Sequence, residues 1–396
     1  MKCTILLIGS ELLNGMMVDT NSIFIAEILN KYGIEIVNKI VVGDKIDDIV
    51  NSIKYAKNNS QLIIASGGLG PTIDDITREA VAKALNKELL YEETRFNEMK
   101  IKYKNSFNIT KNNERQFMFP EGSIIIENEK GSAPGFIVDD IACFPGVPFE
   151  LHDMFPKFIS KYVVDKGIDD KFYIKDILTW DIPESFLETE IIDIINSEPD
   201  IFTEFLAKDY GVLVRLIAKQ DMKDKVESMK EKIYNKIGNY IFGEDSDRLD
   251  TIIIKKLEEK NFKLSVAESC TGGLLSSIIL SNSGASSVYE EGYITYSNNS
   301  KVKNLNVDSE TIDKYGAVSE ETVYEMLKGL KTEIGIAISG VAGPNGGTLE
   351  KPVGTVYIGT KIIDKYLVKK YNFRGDRDNI RRRAAYSGLN LLRINL

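Results

Sequence analysis

Histidine is nearly missing from this chain: His152 is the only one among 396 residues. Ser-His-Asp, Cys-His and histidine-based metal chemistry would each have to pass through that one ring. It stands in Pro148-Phe149-Glu150-Leu151-His152-Asp153, which reads as the start of a helix, and is expected to be a surface or interdomain residue. Catalysis must then rely on lysine, tyrosine, carboxylates or metal-bound water as acid or base. Cysteine is scarce too. Cys3, Cys143 and Cys270 are odd in number and widely spaced, so neither a disulfide framework nor a metal-ligand pattern can be read from them. Such usage suits a reducing cytosol. Long apolar runs are lacking. The first is only about five residues, too short for a secretory signal, and none approaches the roughly 18 needed to span a membrane. A soluble, cytoplasmic protein with no membrane partner is expected. Positive charge is also in deficit: 50 Lys and Arg against 59 Asp and Glu give a formal net charge of −9. A nucleic-acid binder needs a basic face, so this balance argues against nucleic acid as the main partner, a local basic patch apart.

What is present is ordinary globular composition, with 43% hydrophobic and 28% charged residues, enough to bury real cores. The length predicts several domains, at about 100–200 residues each. Residues 2–8, 33–42 and 62–65 read as strands. Between and after them, 21–32, 47–56 and 74–85 read as helices. This alternation predicts a parallel sheet with helices on both faces. A hairpin over 136–144, turning at Asp139-Asp140, and a helix after Pro148 close the unit. A middle segment has β-α-β-β-α order: a strand over 173–178, a helix from Pro183, a hairpin around Asp209-Tyr210-Gly211, and a helix over 222–237. No cluster of glycine, serine or carboxylates marks a site there, and it reads as a spacer or dimer element. Residues 243–247 read as a polar break. The last segment alternates again, with strands at 264–267, 292–296, 335–339, 353–360 and 365–372, and a final helix over 378–392.

Two places carry chemistry. Ser66-Gly67-Gly68-Leu69-Gly70-Pro71-Thr72 follows an apolar strand and precedes a helix. Glycines let the backbone approach a ligand, and the helix offers free N–H groups and a positive dipole end to phosphate. The loop falls at the carboxyl end of a strand, where open α/β sheets bind ligands. A structural turn is the alternative. Asp74 and Asp75 follow at once. They could hold a divalent metal against a diphosphate, or cap the helix. Glu11, after the first strand, could point at the same mouth.

The second place is Ala267-Glu268-Ser269-Cys270-Thr271-Gly272-Gly273, between a strand and a helix expected from Gly273. A nucleophilic Ser269 and oxyanion donors from the N–H groups of Thr271, Gly272 and Gly273 could coexist there. Alternatively Ser269 and Thr271 merely cap the helix. Cys270 is a rival nucleophile without a histidine partner. A base is sought in Tyr296 and Lys301, placed at a strand end, since a desolvated lysine can take a proton. A surface lysine is the bland alternative. Arg377 and Arg381, four apart, could clamp a phosphate or belong to a solvated basic face.

At these residues the chain resembles the CinA (competence/damage-inducible) proteins over its full length. The C-terminal motifs are A-E-S-C-T-G-G at 267–273, Y-S-N with Lys301 at 296–301, G-A-V-S-E at 316–320, G-V-A-G-P-N-G-G and K-P-V-G-T-V within 340–356, and G-D-R at 375–377. The N-terminal ones are G-S-E-L-L-N-G at 9–15, G-G-L-G-P-T-x-D-D at 67–75 and P-G-V-P-x-E at 145–150. The resemblance implies an α/β protein of three domains: a molybdopterin-binding-like parallel α/β sheet at 1–168, a small KH-type α+β domain at 169–246, and a C-terminal α/β deamidase domain at 247–396. It implies hydrolysis of nicotinamide mononucleotide (NMN) to nicotinic acid mononucleotide and ammonia, without a cofactor, with Ser269, Tyr296 and Lys301 as active-site residues. Ser339, Gly340 and Arg377 fall in its substrate-contact segments, where threonine is more usual at position 339. For the N-terminal domain it implies a metal-dependent ADP-ribose pyrophosphatase; from the loop and carboxylates read above, Gly67, Gly68, Gly70 and Thr72 are expected around the substrate, and Glu11, Asp74 and Asp75 are the candidate metal ligands. It also implies a homodimer. A KH-type domain would suggest RNA, but no G-x-x-G clamp loop appears between 171 and 245. A non-catalytic nucleotide- or molybdopterin-binding protein, or a competence-associated one, is the alternative.

Overall fold

The computed structural model describes residues 1–104, 109–168, 171–208 and 211–396. The chain forms two compact units: Met1–Tyr173 with Lys219–Asp221, and Ile174–Ala218 with Met222–Leu396.

The first unit runs β1 (Lys2–Ile8), α1 (Ser10–Leu13), α2 (Asn21–Lys31), β2 (Glu35–Val42), α3 (Ile46–Asn59), β3 (Leu62–Ser66), α4 (Thr77–Leu85), β4 (Leu89–Tyr91), α5 (Glu93–Tyr103), β5 (Met118–Pro120), β6 (Ile124–Ile126), β7 (Gly135–Val138), β8 (Ile141–Phe144) and α6 (Pro148–Asp165). Its main sheet has the order β2-β1-β3-β8-β7-β6. The pairings within β2-β1-β3-β8 are parallel. The expected hairpin adds β7 and then β6 antiparallel, so the sheet is mixed rather than wholly parallel. Strand β1 shows why it reads as a continuous apolar run. Cys3, Ile5 and Leu7 pack on one face with Ile25 and Leu29 of α2, and Leu6 and Ile8 on the other with Ile49 and Ile53 of α3. Asp139 and Asp140 turn the hairpin with φ of 46° and 61°, the left-handed pair that two-residue loops require. His152 is exposed on α6 and stacks on Phe24, with ring centroids 3.9 Å apart.

The second unit opens with β9 (Phe172–Thr179), α7 (Glu184–Asn196), β10 (Phe202–Lys208), β11 (Gly211–Lys219), α8 (Lys223–Ile237) and β12 (Ile241–Glu244), in a sheet of order β10-β11-β9-β12. Residues 209 and 210 of the expected hairpin turn lie outside the described residues. The polar break expected at 243–247 begins too early. Ile241 and Phe242 are buried, and β12 pairs with β9 across a register shift next to Gly243. Then follow α9 (Leu249–Lys260), β13 (Leu264–Glu268), α10 (Leu274–Leu280), β14 (Tyr289–Ile294), α11 (Asn298–Leu305), α12 (Ser309–Tyr315), α13 (Glu320–Gly329), β15 (Ile334–Gly340), β16 (Thr355–Ile362), β17 (Lys365–Asn372) and α14 (Arg377–Asn395). The five-stranded sheet has the order β14-β13-β15-β16-β17, parallel over its first three strands. One core joins the two sheets: Leu178, Trp180, Leu213 and Phe242 cluster with Leu249, Ile253 and Leu392. Among the described residues no helix is long and apolar enough to cross a membrane.

Candidate functional site

The carboxyl ends of β13, β14 and β15 meet at one edge of the five-stranded sheet. Ser269 N–H donates to the Ile338 carbonyl at 2.9 Å, and Thr295 N–H to the Glu268 carbonyl at 2.8 Å. Ser269 and Thr295, just beyond β13 and β14, thereby lie beside Ser339 at the end of β15, the usual place for a ligand in such sheets. Lys301 enters from α11, not from a strand end as the sequence suggested. Its side chain is fully buried, which excludes the alternative of a surface lysine. Nζ donates to Ser269 Oγ at 3.0 Å and to the Thr295 carbonyl at 2.6 Å. Burial lowers the Lys301 pKa to about 8. A lysine so desolvated can accept the proton of the hydroxyl beside it.

Cys270, the rival nucleophile, is buried, and desolvation raises its pKa to about 12, so its thiol stays protonated at neutral pH. Tyr296 is 65% exposed, and its phenol bonds neither Ser269 nor Lys301. Strand β14 ends at Ile294 rather than at 296, which puts Tyr296 in the connection to α11, on the rim of the site.

The oxyanion donors expected from residues 271–273 need correction. Helix α10 starts at Leu274, after Gly272 and Gly273 at φ of 59° and 92°. The Gly272 N–H donates to the Ser269 carbonyl at 3.2 Å. The Gly273 N–H is taken by Glu268, which sequence reasoning passed over. This fully buried carboxylate accepts from the N–H groups of Gly273, Leu275 and Ser276 and from Ser276 Oγ, at 2.6–3.0 Å. In the turn, the N–H groups of Cys270 and Thr271 are the two that meet no oxygen acceptor among the described residues. Neither Ser269 nor Thr271 caps the helix, and the Oγ1 atoms of Thr271 and Thr295 are buried without a partner.

The other candidates frame this edge. Ser339 is buried, and its hydroxyl donates to the Ala317 carbonyl at 2.7 Å, tying down the loop before α13. Gly340 ends β15, where a Cβ would press on Val356 at 2.6 Å. Arg377 opens α14 and reaches the Gly343 carbonyl at 2.6 Å. Arg381, one turn on, reaches the Thr271 carbonyl at 2.8 Å. Both guanidiniums thus hold loops of the site and are not simply part of a solvated face.

In the first unit, residues 67–70 line a cleft of about 580 Å³ together with Glu11, Asn21, Asp74, Asp75 and Gly146. Gly67 and Gly68 have φ of 111° and 64°. A Cβ on Gly67 would run into the Ile8 carbonyl, so the turn needs glycine there. Helix α4 begins at Thr77, three residues later than expected. Asp74 and Asp75 precede it in a turn that Asp75 closes by accepting from Thr72 N–H at 2.9 Å and Thr72 Oγ1 at 2.6 Å. The helix-cap alternative for the two aspartates is thereby excluded. Asp74 also accepts from Thr72 Oγ1, which holds its carboxyl below the usual range. Glu11 curls back over Gly9. No group of three His, Cys, Asp or Glu able to hold a metal exists among the described residues. Asp74 and Asp75 are thus carboxylates lining the cleft, as Glu11 is, and the three do not converge into one group.

The family model for the CinA C-terminal domain matches residues 246–396, that for the damage-inducible protein CinA KH domain matches 175–243, and that for a probable molybdopterin binding domain matches 4–164. A CinA-like protein of Fusobacterium nucleatum subsp. nucleatum is 49% identical over 397 residues, covering 100% of this chain and 98% of its own. The chain belongs to the CinA family. A CinA-like protein of Kosmotoga olearia is 39% identical over 406 residues, with 99% and 98% covered. Among solved structures, the competence/damage inducible protein CihA from Agrobacterium tumefaciens is 34% identical, covering 37% of this chain and 94% of that one, with a TM-score of 0.37. In this CinA-family chain the sequence motif singled out Lys301, and the structure brings it to Ser269 at 3.0 Å. A signal for Glu268 was also present, as an acidic residue ending an apolar strand one position before the serine.

Proposed function

We propose that the C-terminal part of this CinA-family protein hydrolyses the carboxamide of NMN. The observation that carries the reading is the buried Ser269–Lys301 pair, 3.0 Å apart, its lysine lowered to about 8 by desolvation. Lys301 takes the proton of Ser269, and Ser269 Oγ attacks the carboxamide carbon. The N–H groups of Cys270 and Thr271 are the donors left to meet the oxyanion, in place of those at 272 and 273. The tetrahedral intermediate collapses, the C–N bond breaks, and the amine leaves as ammonia with a proton returned by Lys301. Water then attacks the acyl-serine, giving the carboxylate and regenerating Ser269. Exposed Tyr296 offers an aromatic face to the pyridine ring at the rim. The test is ammonia release from NMN by wild type and Ser269→Ala side by side. Release that survives in the variant would remove this mechanism.

The glycine turn and its two aspartates support a second activity in the first unit, metal-dependent hydrolysis of the diphosphate of ADP-ribose. When bound, the cation would neutralise charge on the diphosphate, held by Asp74 and Asp75. The protein's own part is to bind and orient the substrate along residues 67–72. A cytoplasmic homodimer belongs to the same reading.

A further inference from the structure

Thr77 and Arg78, the first two residues of α4, are buried behind the glycine turn of the N-terminal cleft. Thr77 Oγ1 donates to the Gly67 carbonyl at 2.8 Å, and the Thr77 N–H to the Gly68 carbonyl at 3.2 Å. Arg78 Nη2 donates to the Leu69 carbonyl at 3.0 Å. Three successive carbonyls are pulled toward α4. Across a trans peptide, a C=O and the N–H of the next residue point in opposite directions. The N–H groups of Gly68, Leu69 and Gly70 are therefore turned away from α4, on a turn that lines the cleft, and none of them meets an acceptor among the described residues. Successive N–H groups presented this way form an anion-binding nest.

Two further observations point to a ligand. Arg78 is 2% exposed, and among the described residues Glu79 and Asp75 act on its charge without forming a salt bridge with it. Its Nη2 also lies 3.5 Å from the Pro134 carbonyl, its guanidinium stands 5.6 Å from the Phe119 ring centroid, and its Nε has no partner among the described residues. A buried cation with no carboxylate in direct contact gains from an anion that approaches it. Asn21, 8% exposed, lines the same cleft. Its Nδ2 donates to Ser66 Oγ at 3.0 Å and to the Gly146 carbonyl at 2.8 Å, while its Oδ1 is left without a partner.

We propose that Thr77 and Arg78 are positioning residues that aim the N–H groups of Gly68, Leu69 and Gly70 at a phosphoryl group, of a ligand whose hydroxyl or amino donor meets Asn21 Oδ1. Neither residue touches the ligand: both act through the turn, and the Arg78 charge adds positive potential beneath it. The inference deepens the diphosphate reading of the cleft and rests on it for the choice of substrate.

The experiment is calorimetric titration of the full chain with inorganic diphosphate in magnesium buffer, beside ADP-ribose turnover. Wild type, Arg78→Met, Arg78→Lys, Thr77→Val and Thr77→Ser are compared. Arg78→Met is expected to raise the diphosphate Kd roughly tenfold to a hundredfold, the scale of a lost charge-assisted hydrogen bond. Arg78→Lys should recover part of the loss because it keeps the charge. Thr77→Val should weaken binding, and Thr77→Ser should restore it. KM for ADP-ribose should rise with Kd, while circular dichroism and ammonia release from NMN stay at the wild-type level. If Arg78→Met does not fold, the nearly isosteric Thr77→Val carries the test. Wild-type affinity in the folded variants overturns the proposal, and so does a wild type that binds no diphosphate. Arg78-dependent binding without ADP-ribose hydrolysis upholds the inference and removes the pyrophosphatase. Hydrolysis indifferent to Arg78 and Thr77 does the reverse.

Discussion

Lys301 is the residue on which the C-terminal chemistry turns, and its burial has two measurable consequences. As the base, it must be neutral to accept the Ser269 proton. Ammonia release should therefore rise with pH and level off above about 8, the value to which burial lowers it. A flat profile from pH 6 to 9, with Ser269 still required, would exclude the lysine as base. The second consequence is for stability. A lysine lowered in the folded state leaves the unfolded chain binding more protons between about 8 and its ordinary 10.5. Stability contributed by this group thus climbs with pH across that window, and the full cost of burying the charge remains below it. At pH 7 that cost is on the order of 3 kcal/mol. Lys301→Met should melt above wild type at pH 7, with the gap closing toward pH 10. A variant that melts lower at every pH would mean that its hydrogen bonds outweigh the desolvation. The sequence named Ser269 and Lys301 through their motifs, but it left open whether the lysine was a solvated surface residue. Only its contact with a serine 32 positions away decides that.

Among the elements, α10 shows how a short helix depends on one side chain. Seven residues are too few to offset the cost of nucleation alone, and no N-cap side chain bonds its first turn. Glu268 supplies the missing acceptors from the end of β13 and fixes the turn that carries Ser269. Glu268→Ala would leave those donors buried and unpaired, for a loss of about 3 kcal/mol and a lower melting temperature. An unchanged melting curve would show that water replaces the carboxylate without loss. Elements with a clear local pattern were legible: β1 from its apolar run and the β7–β8 hairpin from its Asp pair. The region from β4 to β6 was not, because its strands are three residues long and too short to show alternation. The start of α4 was misplaced because Asp74 and Asp75 resemble helix-capping residues, whereas their carboxylates serve Thr72.

On the scale of the whole molecule, the two proposed sites lie in different compact units. Ser269→Ala should abolish ammonia release and leave ADP-ribose hydrolysis unchanged, while Asp75→Ala should do the opposite. Loss of both activities from either substitution would show that the units are coupled. The family models divide the chain into three segments, yet the middle and last ones share a single core around Trp180, Phe242 and Leu249. Strand β12, missed in a stretch that looked like a linker, helps to make that join: Arg393 of α14 donates to the Ile241 carbonyl at 2.8 Å.

The sequence by itself determined the alternation of the longer strands and helices and the family, and it confined any histidine chemistry to the single ring of His152. Periodicity, turn residues and composition act over a few neighbouring positions, so a chain can be read for them directly. The tertiary structure decided which groups are charged, buried or left free. It buried Lys301 against Ser269, raised the Cys270 thiol out of reach, and spent the α10 N-terminus on Glu268. It also turned three carbonyls of the glycine loop toward Thr77 and Arg78. Each of these depends on which distant atoms exclude water from a polar group or pair with it, and that is settled only when the sheets have closed.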